Sequence, residues 1–76
     1  MNFGDAIKAL KEGKRVQRSG WNGKNMWIHL FKPENDKPVK YNSDPYIVMK
    51  TAQGTLQPGW LANQPDILSE DWQIID

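Results

Sequence analysis

The N-terminal segment carries apolar residues at the spacing of an amphipathic helix. Asn2 suits the N-cap position, because its side chain can accept a hydrogen bond from a free backbone N–H of the first turn. Gly13 suits the left-handed position that follows many helices. The pattern therefore predicts a helix over 3–12. The apolar residues that share its inner face are Phe3, Ala6, Ile7 and Leu10.

Alternation of apolar and polar residues with a period of two predicts strands in the rest of the chain. Segment 26–31 has apolar side chains on both faces, with Trp27, His29 and Phe31 on one of them, which is typical of a central strand. Segment 14–18 is mostly polar, with Val16 pointing inward. Strands are predicted over 14–18, 26–31, 46–51, 55–58 and 71–75, with a hairpin at Gly54.

Turn-forming residues predict the connections between these elements. Asn22-Gly23 favours two consecutive residues with positive φ. Segment 32–45 is rich in Pro, Asn and Asp and is expected to be a loop, with a short edge pairing at 39–41. Pro65 is expected at the first position of a short helix. The predicted fold is α+β: a small antiparallel sheet packed against an N-terminal helix, with a second short helix and a C-terminal strand.

The length of the chain leaves room for one domain, residues 1–76, with a thin core. Small chains usually need a disulfide, a metal or self-association. Cysteine is absent and His29 is the only histidine, which excludes disulfides and a structural zinc site of His and Cys ligands. Self-association is what remains. We expect a cytoplasmic protein, because no apolar run reaches the ~18 residues of a membrane span and the N-terminus does not resemble a signal peptide.

The formal net charge of +1 is nearly balanced, which argues against bulk attraction to nucleic acid or to an anionic membrane. The charges are nevertheless separated along the chain. Residues 1–24 hold six basic and two acidic side chains, whereas residues 51–76 hold four acidic side chains and no basic one. Two ordinary solvated faces explain this separation, and so does attraction between the two ends in neighbouring subunits.

Signatures of catalysis are missing from the sequence. No glycine-rich phosphate-binding motif is present. His29 alternates with strand neighbours, so a packed histidine is favoured over a catalytic base. Glu70 and Asp71 are adjacent carboxylates that would serve as acid and base, but solvated or capping roles are favoured. We therefore predict no catalytic residues, no metal site and no cofactor.

Aromatic residues next to amides and cations are the positive signal. Four of the 76 residues are Trp, and Trp21 lies in a turn beside Asn22 and Lys24. Such a turn suits stacking on a flat base, with Lys24 or Arg18 as the charged donor to phosphate. Folding of Trp21 back over the core explains the same pattern. Core packing is favoured for Trp60 and Trp72.

The polar cluster after Trp60 suits ribose hydroxyls or an adenine edge, and helix capping explains it equally well. Its members are Asn63, Gln64 and Asp66.

Five segments together resemble a family of small phage proteins, the second type of Thoeris anti-defence protein. The resemblance runs in order through nearly the whole chain. It rests on the segment Met-Asn-Phe-Gly-Asp-Ala-Ile-Lys-Ala-Leu-Lys-Glu-Gly-Lys at 1–14, Gly-Trp-Asn-Gly-Lys at 20–24, Met-Lys-Thr-Ala-Gln-Gly at 49–54, Gly-Trp-Leu-Ala-Asn-Gln at 59–64 and Glu-Asp-Trp at 70–72.

The resemblance implies a sponge, a non-catalytic protein that sequesters the signal of Thoeris immunity. That signal is a cyclic ADP-ribose isomer, the 1''-3' glycocyclic form, and some family members also hold cyclic dinucleotides. The resemblance further implies a homotetramer in the cytoplasm of the infected host, with pockets at subunit interfaces. The residues expected to bind ligand are Trp21, Asn22, Lys24, Met49, Trp60, Asn63, Gln64 and Asp66.

Three other functions are compatible with the sequence alone. A small single-stranded nucleic-acid-binding module would use Trp21 and the basic N-terminal third, and its binding would depend steeply on salt. An adaptor would have all its tryptophans in the core. A nucleotide-degrading enzyme is disfavoured, because the chain lacks a set of base and metal-binding residues.

Overall fold

The computed structural model of the chain describes residues 1–33 and 44–75. The predicted N-terminal helix is present as α1, Phe3–Lys11. The Asn2 side chain accepts a hydrogen bond from the backbone N–H of Asp5 and caps the helix, as expected. Gly13 follows the helix with φ of 89°, a conformation in which a side chain would strain the backbone.

Within the described residues, five strands form one antiparallel sheet, and the predicted α+β class is confirmed. The order across the sheet is β4-β3-β2-β1-β5, so β2 is central as predicted and β5 lies beside β1. A short helix, α2 (Gln64–Leu68), comes before β5. The strands are β1 (Arg15–Arg18), β2 (Trp27–Phe31), β3 (Tyr46–Lys50), β4 (Leu56–Pro58) and β5 (Trp72–Ile75).

One face of the sheet carries the core. Val16 and Ile28 are directly opposite each other on β1 and β2, and both are fully buried beneath α1. The buried apolar residues are Ala6, Ala9 and Leu10 of α1 and Val16, Ile28, Met49 and Trp72 of the sheet. Residues of the opposite parity, including Trp27, His29 and Phe31, lie on the other face of β2 and are half-buried.

Three details of the predicted connections differ from the structure or fall outside it. Asn22 and Gly23 do not adopt positive φ; Asn25 does, at 62°. The connection from β1 to β2 spans 19–26 and is too long for a two-residue turn, so the Asn-Gly preference is not used. α2 begins one residue early, with Asn63 as its cap, so Pro65 is its second residue. The edge pairing expected at 39–41 lies outside the described residues.

Candidate functional site

An ion-pair network joins the first and last strands to α2. Arg18, the last residue of β1, donates from Nε to Asp71 Oδ1 at 2.8 Å and from Nη1 to Asp66 Oδ1 at 2.9 Å. The pairing of β1 with β5 sets Arg18 directly opposite Trp72, which brings Asp71 within reach. The side chains of Arg18 and Asp66 are only 16% and 7% exposed. This charge pair is therefore well shielded from water.

Asp66 is the most heavily used polar side chain of the network. Its Oδ2 accepts a hydrogen bond from the backbone N–H of Asn63, and the Asn63 side chain accepts one from the backbone N–H of Asp66. This reciprocal capping box starts α2. Asp66 Oδ1 also accepts from Trp21 Nε1 at 3.1 Å. One carboxylate thus fixes the helix, the arginine and the indole in a single arrangement.

Asp71 ties the loop after β1 to the start of β5. Its Oδ2 accepts from the backbone N–H of Gly20 at 2.9 Å. A Cβ at Gly20 would lie 2.7 Å from that oxygen, so glycine permits the close approach. The hydrogen bond from Arg18 is the main reason that the pKa of Asp71 is lowered. The same bond, with a second one to Asp66, raises the pKa of Arg18.

Three indoles meet next to this network, and we call Trp21, Trp60 and Trp72 the tryptophan cluster. Their ring centroids are 5.3 Å apart for Trp21 and Trp72 and 6.2 Å apart for the other two pairs, all in edge-to-face contact. Trp72 is buried and donates from Nε1 to the Asp66 carbonyl at 2.9 Å. Trp21 and Trp60 are half-buried and pack on the core, so each keeps part of its ring at the surface.

Backbone geometry holds the two half-buried indoles in place. The N–H of Trp21 donates to the Arg18 carbonyl at 3.2 Å, which turns the chain sharply after β1. The N–H groups of Gly59 and Trp60 both donate to the Ile47 carbonyl, and Gly59 has φ of 85°. Trp60 is thus held against β3 immediately after β4 ends.

The structure brings together four of the eight residues predicted to bind ligand. Asn63 and Asp66 form the capping box beside Trp21 and Trp60. Met49 is buried in the core on which both indoles pack. The other three, Asn22, Lys24 and Gln64, are exposed.

The loop that carries Asn22 and Lys24 is packed against the sheet. A Cβ at Gly23 would lie 2.2 Å from Met26 Sδ and 3.0 Å from the Ala52 Cβ, so a side chain there would require the Met26 side chain to move. Lys50 Nζ donates to the Asn25 carbonyl at 2.9 Å. Lys24 takes part in no ion pair within the described residues, which leaves its ammonium group available for an anion.

The sequence interpretation missed the arrangement around Arg18. It treated Asp71 as one of two solvated or capping carboxylates and Arg18 as a phosphate donor, whereas the two form an ion pair that organises the site. The sequence feature that pointed to this ion pair was the separation of charge between residues 1–24 and 51–76. Part of that charge is matched inside one chain, because β5 returns beside β1.

The described residues contain no group of three or more His, Asp or Glu side chains placed to hold a metal ion. No helix among the residues described is long and apolar enough to cross a membrane.

Comparison with known proteins places this chain in a family. The model of the Thoeris anti-defense 2-like domain matches residues 1–75. The protein named Thoeris anti-defense 2 of Bacillus phage SP01 is 39% identical over 88 aligned residues, which cover 99% of this chain and 94% of the relative. This chain therefore belongs to the Thoeris anti-defense 2 family, a phage family that counters the Thoeris defence of bacteria.

Proposed function

We propose that this protein binds and sequesters, without cleaving it, the glycocyclic ADP-ribose signal of Thoeris immunity in the cytoplasm of the infected host. Cyclic dinucleotides are further candidate ligands. Membership of the Thoeris anti-defense 2 family supports an action against Thoeris. The observation that carries the binding proposal is the pair of half-exposed indoles, Trp21 and Trp60, held rigidly by the core and by Asp66.

The chemistry around this pair suits a nucleotide. A base that stacks on an indole is stabilised by about 1–3 kcal/mol. Lys24 lies in the same loop as Trp21 and would meet a phosphate, while Asn22 and Gln64 are exposed amides that would reach ribose hydroxyls or base edges. A compact, rigid platform of this kind loses little entropy when it binds.

Three of the predicted residues would act from behind this surface. The side-chain oxygen of Asn63 and both carboxylate oxygens of Asp66 already bond within the chain, and Met49 lies in the core. We propose that Asp66 and Asn63 hold Trp21 and α2 in place, and that Met49 supports the indoles. Direct contact with the ligand then falls to Trp21, Asn22, Lys24, Trp60 and Gln64.

The groups near the tryptophan cluster support sequestration rather than cleavage. Asp71 has a lowered pKa because Arg18 binds it, so its carboxyl group is a poor proton donor near neutral pH. Asp66 is committed to Arg18, Trp21 and Asn63. His29 lies on the face of the sheet away from the cluster, since its neighbour Ile28 points into the core.

A homotetramer with pockets between subunits would give the enclosure that one chain lacks. A cyclic ADP-ribose holds about 35 non-hydrogen atoms, and ~0.3 kcal/mol per atom corresponds to a Kd on the order of tens of nanomolar. Such affinity requires most of the ligand to be buried. The thin core of 76 residues leaves little room for a cavity of that size.

Sedimentation equilibrium should therefore give four times the 8.8 kDa chain mass, and a folded monomer would contradict this.

Isothermal titration calorimetry with glycocyclic ADP-ribose tests the proposal directly. We expect a Kd on the order of tens of nanomolar. Linear ADP-ribose is the matched control, because it offers the same base and phosphates without the ring closure, and it should bind more weakly. The absence of any binding signal for the cyclic compound at micromolar concentrations would overturn the proposal.

One observation favours single-stranded nucleic-acid binding as the second candidate. On the sheet face away from α1, Arg15 lies 5.1 Å from the centroid of the Trp27 ring, and Phe31 stacks on Tyr46 at 4.9 Å. The strands as described place no acidic side chain on this face. Titration with a short oligonucleotide at several salt concentrations distinguishes the candidates. A slope as steep as that of 6–10 phosphate contacts would favour nucleic acid over the sponge.

A further inference from the structure

The loop between β1 and β2, residues 19–26, is held differently in its two halves. Its first half, which ends at Trp21, is tied to the ion-pair network by hydrogen bonds. Its second half carries Lys24. Within the described part of the chain, one hydrogen bond holds this second half, from Lys50 Nζ to the Asn25 carbonyl. Packing is therefore the main restraint on the residues proposed to reach the phosphate.

Met26, at the end of this loop, supplies that packing by folding back on Gly23. A Cβ at Gly23 would collide with Met26 Sδ and would lie 3.0 Å from both Met26 Cγ and the Ala52 Cβ. Gly23 does not have a positive φ, so its lack of a side chain serves space and not backbone conformation. The thioether of Met26 thus fills the space beside Gly23, with the turn after β3 on the other side. Met26 also packs against the core.

The sulfur of Met26 is placed where an oxidant can reach it. Met26 is half-buried, whereas Met49 is only 7% exposed. A hydroperoxide converts a thioether to a sulfoxide. The sulfur attacks one peroxide oxygen, so that an S–O bond forms as the O–O bond breaks. The proton of the transferred oxygen passes to the leaving oxygen, which departs as water. Sulfur is oxidised by two electrons and the peroxide is reduced by two.

We propose that Met26 is a positioning residue for the ligand-binding loop, and that oxidation of its sulfur by a hydroperoxide releases the loop and lowers the affinity for nucleotide. The effect on affinity rests on the proposed function. A sulfoxide is larger than a thioether and polar, so it no longer packs against the apolar atoms around Gly23. Lys24 would then have to be ordered by the ligand itself, and that ordering weakens binding.

Release of the loop should leave the sheet intact. Met26 comes just before β2, and the pairing of β2 with β3 begins at Trp27 and Lys50. Ile28, two residues after Met26, is fully buried and anchors β2 in the core. The contact between Met26 and Gly23 therefore lies outside the hydrogen-bonded ladder. Oxidation of Met26 should change the loop without unfolding the domain.

NMR relaxation tests whether the sulfur holds the loop. Backbone order parameters of residues 22–25 should be near the ~0.85 of a rigid backbone in the reduced wild type and below about 0.6 after treatment with hydrogen peroxide. Peptide mass spectrometry checks that oxygen has been added at Met26. Met26→Leu is the matched control, because leucine has a similar volume, lacks sulfur and leaves Met1 and Met49 in place. Its loop should stay rigid after the same treatment.

Calorimetry with glycocyclic ADP-ribose tests the effect on binding, with each protein compared with itself before and after peroxide. The Kd of the wild type should rise roughly tenfold or more, and the Kd of Met26→Leu should not change on treatment. Met26→Gln places a polar amide beside Gly23 and should bind as weakly as the oxidised wild type. Thermal unfolding separates positioning from stability. A merely structural Met26 would lower the melting temperature on oxidation while the folded protein kept its Kd.

Several results would overturn this assignment of Met26. They are a loop that is already mobile in the reduced protein, a sulfur that resists peroxide, and an equal response of the wild type and Met26→Leu. A released loop with an unchanged Kd would overturn the effect on binding alone. A reduced wild type that does not bind the nucleotide would overturn the proposed function, and the order parameters would still decide whether Met26 holds the loop.

Discussion

At the scale of single residues, the carboxylate of Asp66 determines how the candidate site is built. It closes the capping box of α2, pairs with Arg18 and accepts the indole N–H of Trp21. A buried acceptor with several donors is stabilising only while all of them are in place, because each unsatisfied partner costs about 1–3 kcal/mol. The position of Trp21 therefore depends on groups at the end of β1 and at the start of α2, which are far apart in the sequence.

Replacing Trp21 by Ala should weaken the binding of glycocyclic ADP-ribose by about 1–3 kcal/mol, roughly ten- to hundredfold. The physical reason is the loss of the stacking surface. Trp27→Ala is the matched control, because Trp27 is also half-buried but lies on the opposite face of the sheet. It should leave the affinity unchanged. Calorimetry gives the affinity of each variant, and thermal unfolding gives its stability.

A purely structural role for Trp21 has a different signature. Trp21→Ala would then lower the melting temperature while the folded protein kept its affinity. That outcome would assign the indole to the core and remove it from the binding site.

At the scale of elements, periodic patterns predicted α1 and the strands, because one buried face imposes a spacing on the sequence. Phe3, Ile7 and Leu10 gave the helix its register, and both faces of β2 are apolar because it is central. The Asn22-Gly23 preference failed because the longer loop, packed at Gly23 against Met26, overrides a local turn propensity. The charge separation along the chain indicated that its two ends attract each other, but the partners of Arg18 could not be predicted, since they depend on β5 returning beside β1.

Gly4, within α1, and Gly13, just after its end, should respond to alanine in opposite directions. Gly13→Ala should destabilise the protein by about 1–2 kcal/mol, because φ of 89° is unfavourable for a residue with a Cβ. Gly4→Ala should stabilise it by up to about 1 kcal/mol, because Gly4 lies within α1 and a Cβ there would come no closer than 3.4 Å to Asn2 Oδ1. Urea unfolding at one protein concentration measures both. A shift in the same direction for both variants would contradict this account of the helix.

The link between β1 and β5 should weaken in acid. The folded-state pKa of Asp71 is lowered by Arg18, whereas an unfolded Asp titrates at about 3.9. The contribution of Asp71 to stability is therefore complete above about pH 4 and is lost as the pH falls through the lower folded-state value. Asp71→Asn should reduce the loss of stability in acid, as measured by urea unfolding between neutral pH and about pH 2.

Glu70→Gln provides the control for that experiment. Glu70 is the exposed neighbour of Asp71 and forms no ion pair with the other described residues. Its variant should follow the wild-type acid profile. An acid profile for Asp71→Asn that is identical to the wild type would show that the Arg18 pair contributes nothing to folding.

At the scale of the whole molecule, the return of β5 beside β1 joins the two oppositely charged ends of the chain. Arg18 from the basic end meets Asp66 and Asp71 from the acidic end, and the tryptophan cluster forms beside this junction. The site is thus a product of topology, with its residues drawn from both ends. The half-exposed indoles are left at the surface, where a nucleotide is proposed to cover them.

The most direct test of sequestration follows the nucleotide through binding and release. Glycocyclic ADP-ribose is mixed with excess protein, the unbound fraction is removed by ultrafiltration, and the retained complex is heat-denatured and analysed by mass spectrometry. A sponge should remove the nucleotide from the filtrate and return all of it intact after heating. Linear ADP-ribose among the products, or a nucleotide that stays in the filtrate throughout, would contradict the account.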